Sequence, residues 1–284
     1  MRKYRVQIYQ LFLSTLGIIG VIIVSMAPGS AKADRFVGQK WASNQQISVD
    51  QIRHDEFNTL LKRYVDADGY VDYKSWQASR ADRGHLQNYL KQLSKANPKL
   101  SAGKPARLAY WINAYNAVTI EGILQVYPTS SIRNHTAKLV GYNIWKQLKL
   151  QVGDGQYSLE EIEHQVLRKM GEPRIHFAIV CASVGCPRLR NEAYTASHLE
   201  SQLAENTQDF FSRSQHLQVD ASRKTLKLSS LIDWFASDFG TTQSQQLQYL
   251  GRYMPKNAQQ LIHDPKTKLS YLKYNWNLND RSRK

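Results

Sequence analysis

Between Lys104 and Val126 the chain offers almost no polar face. Leu108, Trp111, Ile112, Tyr115, Val118 and Ile123 form one stripe at helical spacing, and Ala109, Ile120 and Leu124 make the opposite side apolar too. A helix apolar nearly all round has no side to give to water, so it must be a central helix wrapped by the rest of the fold. Pro105 in its first turn and Pro128 beyond its end set its limits. Two amides, Asn113 and Asn116, interrupt it three residues apart and project at neighbouring angles. A buried amide left unpaired costs about 1–3 kcal/mol. Either these two bond to the main chain of a neighbouring loop, or they line a polar pocket and, with Trp111, hold a substrate.

The segments around this helix alternate in period. Helical spacing runs over 48–65, 73–96, 158–170, 196–212, 230–239 and 243–253. Extended runs fall at 144–152 with a return at 156–157, at 175–182, in a hairpin at 217–228, and at 269–275. The class this predicts is α+β, with helices packed on a small, mostly antiparallel sheet around the buried central helix. No linker or repeat divides 34–284, so one globular domain is expected there. The basic residues at 281–284 read as a mobile tail.

The start of the chain has a different character. Arg2, Lys3 and Arg5 precede an apolar run over 11–26, and Ala31-Lys32-Ala33 sets small residues where a signal peptidase reads. This order predicts a secretory signal cleaved after Ala33. Retained as an anchor, the run would be short for a bilayer, which asks for about 20 apolar residues. The mature chain is therefore expected outside the cytoplasm, periplasmic or extracellular in a bacterium, and membrane-bound only through an uncleaved leader. The leader holds four basic residues and no acid, so the net charge of +15 falls to +11 for the remainder. That balance favours an anionic envelope polymer as partner, or a solvated basic surface with no specific partner. Outside the cytoplasm nucleic acid is not expected.

Two further clusters place polar groups where the pattern demands apolar ones. In 158–170, Ser158 with Glu161 forms a capping box. Leu159, Ile162, Val166, Leu167 and Met170 then share a face into which Glu163 falls, with His164 at its edge. A carboxylate there must be paired, hydrogen-bonded or protonated. Either it pairs with a core arginine or caps backbone amides, or it serves as a general base or orients an imidazole. The second cluster runs from His176 to Pro187 and contains the only cysteines, Cys181 and Cys186. Strand alternation would put His176 and Cys181 on opposite faces. The thiols admit four readings: a Cys181–Cys186 disulfide, inert buried thiols, metal ligands, or a Cys181 nucleophile activated by a histidine such as His164. The eight histidines show no metal spacing, and no cofactor motif is present.

These stretches also carry a resemblance. Tyr110-Trp111-Ile112-Asn113-Ala114-Tyr115-Asn116-Ala117, Ser158-Leu159-Glu160-Glu161-Ile162-Glu163-His164, and 176–187 with Leu189 and Tyr194 resemble the family named domain of unknown function 547. Leu231-Ile232-Asp233-Trp234-Phe235 with Asp238-Phe239, and Tyr274-Asn275-Trp276-Asn277-Leu278-Asn279, extend the likeness over about 50–279. The resemblance implies that Asn113, Asn116, Glu163, His164, Cys181 and Cys186 belong to one motif set, and assigns them no roles.

Two functions follow as expectations. One is a hydrolase or acyl-transfer enzyme in which Glu163 and His164 move protons, Cys181 attacks, and Asn113, Asn116, His176 and Trp111 hold the substrate. The other is a non-catalytic envelope protein that uses Trp145, Lys146, Lys149, Lys273, Tyr274 and Trp276 to bind an anionic polymer.

Overall fold

The computed structural model describes residues 33–136 and 142–284. The expected leader lies outside the described residues, Ala33 excepted. Among the described residues no helix is long and apolar enough to cross a membrane.

A short strand β1 (Arg35–Val37) leads into three helices: α1 (Asp55–Tyr64), α2 (Tyr73–Ala78) and α3 (Arg80–Ser94). The single helix expected over 73–96 is two, because the Ser79 hydroxyl accepts the Asp82 N–H and caps a new one. The helix expected over 48–65 starts only at Asp55. A separate turn at Val49–Gln51, closed by a Ser48–Gln51 capping box, precedes it.

The central helix α4 spans Lys104–Val126, as its pattern requires, and every residue from Leu108 to Leu124 is buried. The 144–152 run divides into a turn of helix α5 (Ile144–Gln147), capped by Asn143, and strand β2 (Leu148–Val152). Strand β3 (Gly155–Ser158) returns antiparallel to β2, and β1 pairs parallel to it on the other edge. The Ser158–Glu161 capping box forms as expected and opens α6 (Leu159–Glu161). The helix then widens into a π-turn over Ile162–Leu167 and tightens over Arg168–Met170. Such wide turns recur at functional sites, since they redirect side chains out of the regular helical wheel.

The chain over 175–182 is not a strand. Pro173–Phe177 is a 3-10 turn, and the residues after it run irregularly through the core. Ile175 and Ala178–Val180 pack with the α4 core, whereas Phe177 packs into a second core with Phe210, Phe211, Leu226 and Leu228. Side chains serve this backbone in place of a neighbouring strand: Asn116 at Ala178 and Val180, Asn206 at Phe177.

Helix α7 (Leu199–Ser212) precedes the hairpin of β4 (Leu217–Asp220) and β5 (Thr225–Ser229). Short helices α8 (Ser230–Trp234), α9 (Ala236–Phe239), α10 (Gln243–Gly251) and α11 (Lys256–Ile262) follow. Strand β6 (Lys268–Leu272) pairs parallel to β5. The class is α+β around a buried helix, and the sheet content is two small three-stranded sheets, each with one parallel and one antiparallel pair.

The segment after β6 positions the site. Val184 and Gly185 donate to the carbonyls of Asn277 and Asn275, Asn279 donates to the Ala182 carbonyl, and Ser183 bridges Leu278. A Cβ on Gly185 would meet Asn275 backbone at 2.9 Å, so only glycine allows this approach. The 281–284 stretch is held rather than mobile. Arg281–Arg283 forms a turn, and the Lys284 ammonium bonds Asp66 at 3.1 Å and Asp68 at 2.6 Å.

Candidate active site

The turn from Cys181 to Cys186 sits where the irregular core segment meets the C-terminal strap. Ala182, buried, adopts φ 58°, a left-handed conformation that costs an L-residue about 1–3 kcal/mol. The strap's bonds to Ala182, Val184 and Gly185 hold that strain. Its effect is to fold the loop back on itself, so that the two sulfurs lie 2.7 Å apart as free thiols.

The two thiols are not equivalent. Cys186 Sγ accepts the Cys181 N–H at 3.0 Å and the Tyr274 hydroxyl at 3.1 Å, with the Ser183 hydroxyl at 3.3 Å. Burial alone would raise its pKa; the donors from Cys181, Ser183 and Tyr274 outweigh burial and pull it below the ordinary thiol range. Cys181 moves the other way, because its proton is shared toward Cys186 and because it is buried. Burial also keeps Tyr274 protonated and therefore a donor. Of the two, Cys186 is the sulfur that gives up its proton more readily, because the donors converge on it.

Both sulfurs line a cavity of about 340 Å³, toward the small end of the roughly 300–1,000 Å³ of small-molecule sites. Glu163, directed inward by the π-turn, lines it too and accepts the Tyr115 hydroxyl at 3.3 Å. Burial pushes the Glu163 carboxyl up to about 7, against the opposing pull of the Tyr115 bond. Among the described residues it neither pairs with a core arginine nor caps backbone. A carboxyl ionising near neutrality can both give and take a proton.

A polar chain forms another wall. Asp238 accepts two bonds from Arg168, both at 2.7 Å, and its Oδ2 lies 2.8 Å from His176 Nε2. The Arg168 bonds hold the Asp238 pKa at about 2. With Nε2 carrying its proton toward Asp238, His176 is a neutral imidazole; burial lowers its pKa to about 4, and its ring stacks on Phe235 at 4.0 Å. His164 also lines the cavity, with its Nδ1 3.1 Å from Arg168. Burial and then the Arg168 charge lower its pKa. Among the described residues the His164 and His176 rings bond Arg168 and Asp238 and neither bonds a sulfur, so the expected Cys181–His164 pair is not formed.

The mouth is aromatic. Trp234, 49% exposed, lies 4.8 Å from Tyr274 and 5.8 Å from Trp276 between ring centroids. Trp145 stands edge-on to Trp276 at 6.4 Å.

The sequence candidates thus separate. Glu163, His164, His176, Cys181 and Cys186 share this cavity. His176 and Cys181 do so because there is no strand to send them to opposite faces. Asn113 and Asn116 do not reach it. Asn113 bonds both main-chain groups of Tyr194, and Asn116 bonds Ala178 and Val180. Trp111 packs in the core against Tyr110 and Tyr157. Of the proposed polymer-binding surface, Trp145, Lys146, Tyr274 and Trp276 line the cavity. Lys146 and Lys149 are paired with Glu160 and Asp34. Periodicity missed Tyr115, Arg168, Trp234, Phe235 and Asp238 as site residues. All but Arg168 stand in the stretches that carry the family resemblance, and for Trp234, Phe235 and Asp238 that was the only signal.

No curated protein and no solved structure matches the chain. Residues 99–211 match the model of a family described as "Protein of unknown function, DUF547". The matched stretch carries α4, the Glu163 turn and the Cys181–Cys186 loop, and over it the chain is similar to that family.

Proposed function

We propose that this cavity is a thiol-based active centre performing thiol–disulfide exchange, with Cys181 and Cys186 cycling between dithiol and disulfide. The observation that carries the reading is the pair of free cysteines, sulfurs 2.7 Å apart, lining one cavity. Exchange needs one thiolate to attack and a second thiol within bonding reach to resolve the adduct. The donors on Cys186 make it the first nucleophile. Its thiolate attacks one sulfur of a substrate disulfide; the substrate S–S bond breaks, and the departing sulfur takes a proton from Glu163. Cys181 then loses its proton to the Glu163 carboxylate and attacks Cys186 Sγ; the Cys186–substrate S–S bond breaks, and the second departing sulfur takes that proton from Glu163, which is left as a carboxylate. Two electrons and two protons pass from the protein to the substrate. Its place of action is taken to be outside the cytoplasm, on the strength of the leader sequence.

The test is Cys181→Ser. That variant, treated with a small disulfide at neutral pH, should accumulate a mixed disulfide on Cys186, visible as an intact-mass adduct that a reductant removes. Cys186→Ser should react far more slowly. Equal, slow reaction of both variants would remove the reading.

Glu163 favours a second reading, acyl transfer or hydrolysis. There the Cys186 thiolate would attack a carbonyl and Glu163 would protonate the leaving group. Its adduct would be a thioester, cleaved by hydroxylamine and not by a reductant. Salt-sensitive binding of an anionic polymer that survives loss of both sulfurs would return the protein to the non-catalytic alternative.

A further inference from the structure

We infer that the centre is built for a small disulfide or thiol carrying a flat aromatic group, and not for a protein disulfide or a strongly polar one. The inference rests on the thiol–disulfide reading and narrows its substrate class.

Access gives the size limit. Cys186 is 5% exposed, and both cysteines line the cavity of about 340 Å³. A disulfide inside a folded partner would have to bring its own backbone past Trp234 and Trp276 to reach them. A molecule of one or two rings needs no such movement.

The walls give the chemistry. Beside the sulfurs the cavity is lined by Tyr115, Ile179, Leu231, Phe235 and Tyr274 and by the ring cluster of Trp145, Trp234 and Trp276. These rings come from three separate parts of the chain, so their convergence is a property of the fold and not of one local motif. Trp234 leaves half its surface open. Its ring lies nearly parallel to Trp276, at 21°, so the pair already sets a stacking plane. The Arg133 guanidinium lies 5.2 Å from the Trp276 ring centroid and holds that indole from another side. An added flat ring extends such a cluster by offset stacking. The charged groups that line the cavity near its mouth, Lys146 and Glu160, are paired with each other at 3.2 Å. They therefore offer little net charge to a polar substrate.

The experiment uses the reduced full chain and three disulfides: dithiodipyridine, hydroxyethyl disulfide and oxidised glutathione. Each second-order rate is divided by that of free cysteine under the same conditions, which removes the disulfide's own reactivity. The expected result is a normalised preference of about tenfold or more for dithiodipyridine, the size of one good aromatic contact. Trp234→Ala, a change at a half-exposed site, should erase most of that preference by lowering the dithiodipyridine rate several-fold more than the hydroxyethyl disulfide rate. Equal normalised rates for all three disulfides would overturn the inference and leave the exchange reading standing. Absence of reaction with any of them would overturn both.

Discussion

Asn116 holds the main chain on both sides of Ile179: its Nδ2 donates to the Ala178 carbonyl at 3.0 Å, and its Oδ1 accepts the Val180 N–H at 2.9 Å. One side chain thereby does for the segment before Cys181 what a neighbouring strand would otherwise do. Asn113 treats Tyr194 in the same way. The central helix is thus a core element that also serves as the hydrogen-bonding partner of the site loop.

Replacing Asn116 by Ala would leave a buried carbonyl and a buried N–H unpaired. The expected loss is about 2–4 kcal/mol of unfolding free energy, read from urea titrations. Because the lost bonds lie just before Cys181, the same variant should show slower thiol modification even where it remains folded. A loss of less than about 0.5 kcal/mol would mean that water reaches these groups.

The donors on Cys186 make a separate forecast. At neutral pH Cys181→Ser should alkylate faster with iodoacetamide than free cysteine does, whereas Cys186→Ser should be slow. Tyr274→Phe removes one charge-assisted donor from the thiolate. Such a bond is worth about 1.5 kcal/mol, so the alkylation midpoint should rise by roughly one pH unit.

Glu163 affects stability against pH in the opposite sense to a surface carboxylate. Its folded pKa, about 7, lies above the ordinary value of 4.5. The folded state therefore binds this proton more tightly than the unfolded state. The resulting stability is complete below about pH 4.5 and disappears as pH rises through 7. Glu163→Gln keeps the shape without the charge. It should match the wild type in acid and exceed it by on the order of 2 kcal/mol at pH 8, by thermal or urea unfolding. An equal difference at both pH values would show that the carboxyl is not desolvated in the fold.

Asp238 has the reverse sign. Bonds from Arg168 and then His176 hold its pKa at about 2, below 3.8. Its contribution is present above about pH 3.8 and is lost as pH falls through 2. Asp238→Ala strands a half-buried guanidinium and the His176 N–H, and should cost about 2–4 kcal/mol near neutrality. The gap from wild type should close in strong acid.

Much of the fold was legible because its signals are local. The all-apolar face of Lys104–Val126 could only be a central helix, and the Ser158–Glu161 pair announced a helix start. The errors arose where a side chain replaced backbone pairing. The apolar run at 175–182 has the composition of a buried strand, but Asn116 and Asn206 satisfy its main chain, so no strand forms. That error separated His176 from Cys181, which the structure brings to one cavity. The π-turn that aims Glu163 inward leaves no trace in periodicity, since the residues still read as an ordinary helix. The pairing of Asp238 with His176 spans 62 positions, and no local pattern records it.

The measurement closest to the central claim is a redox equilibration of the full chain against mixtures of reduced and oxidised dithiothreitol, followed by acid quenching, alkylation and intact-mass analysis. Cys181 and Cys186 should convert together and reversibly, from two alkylated thiols to a form lighter by two hydrogens that takes no alkyl group. Two thiols that stay free at every ratio, or that oxidise one at a time into separate adducts, would contradict it.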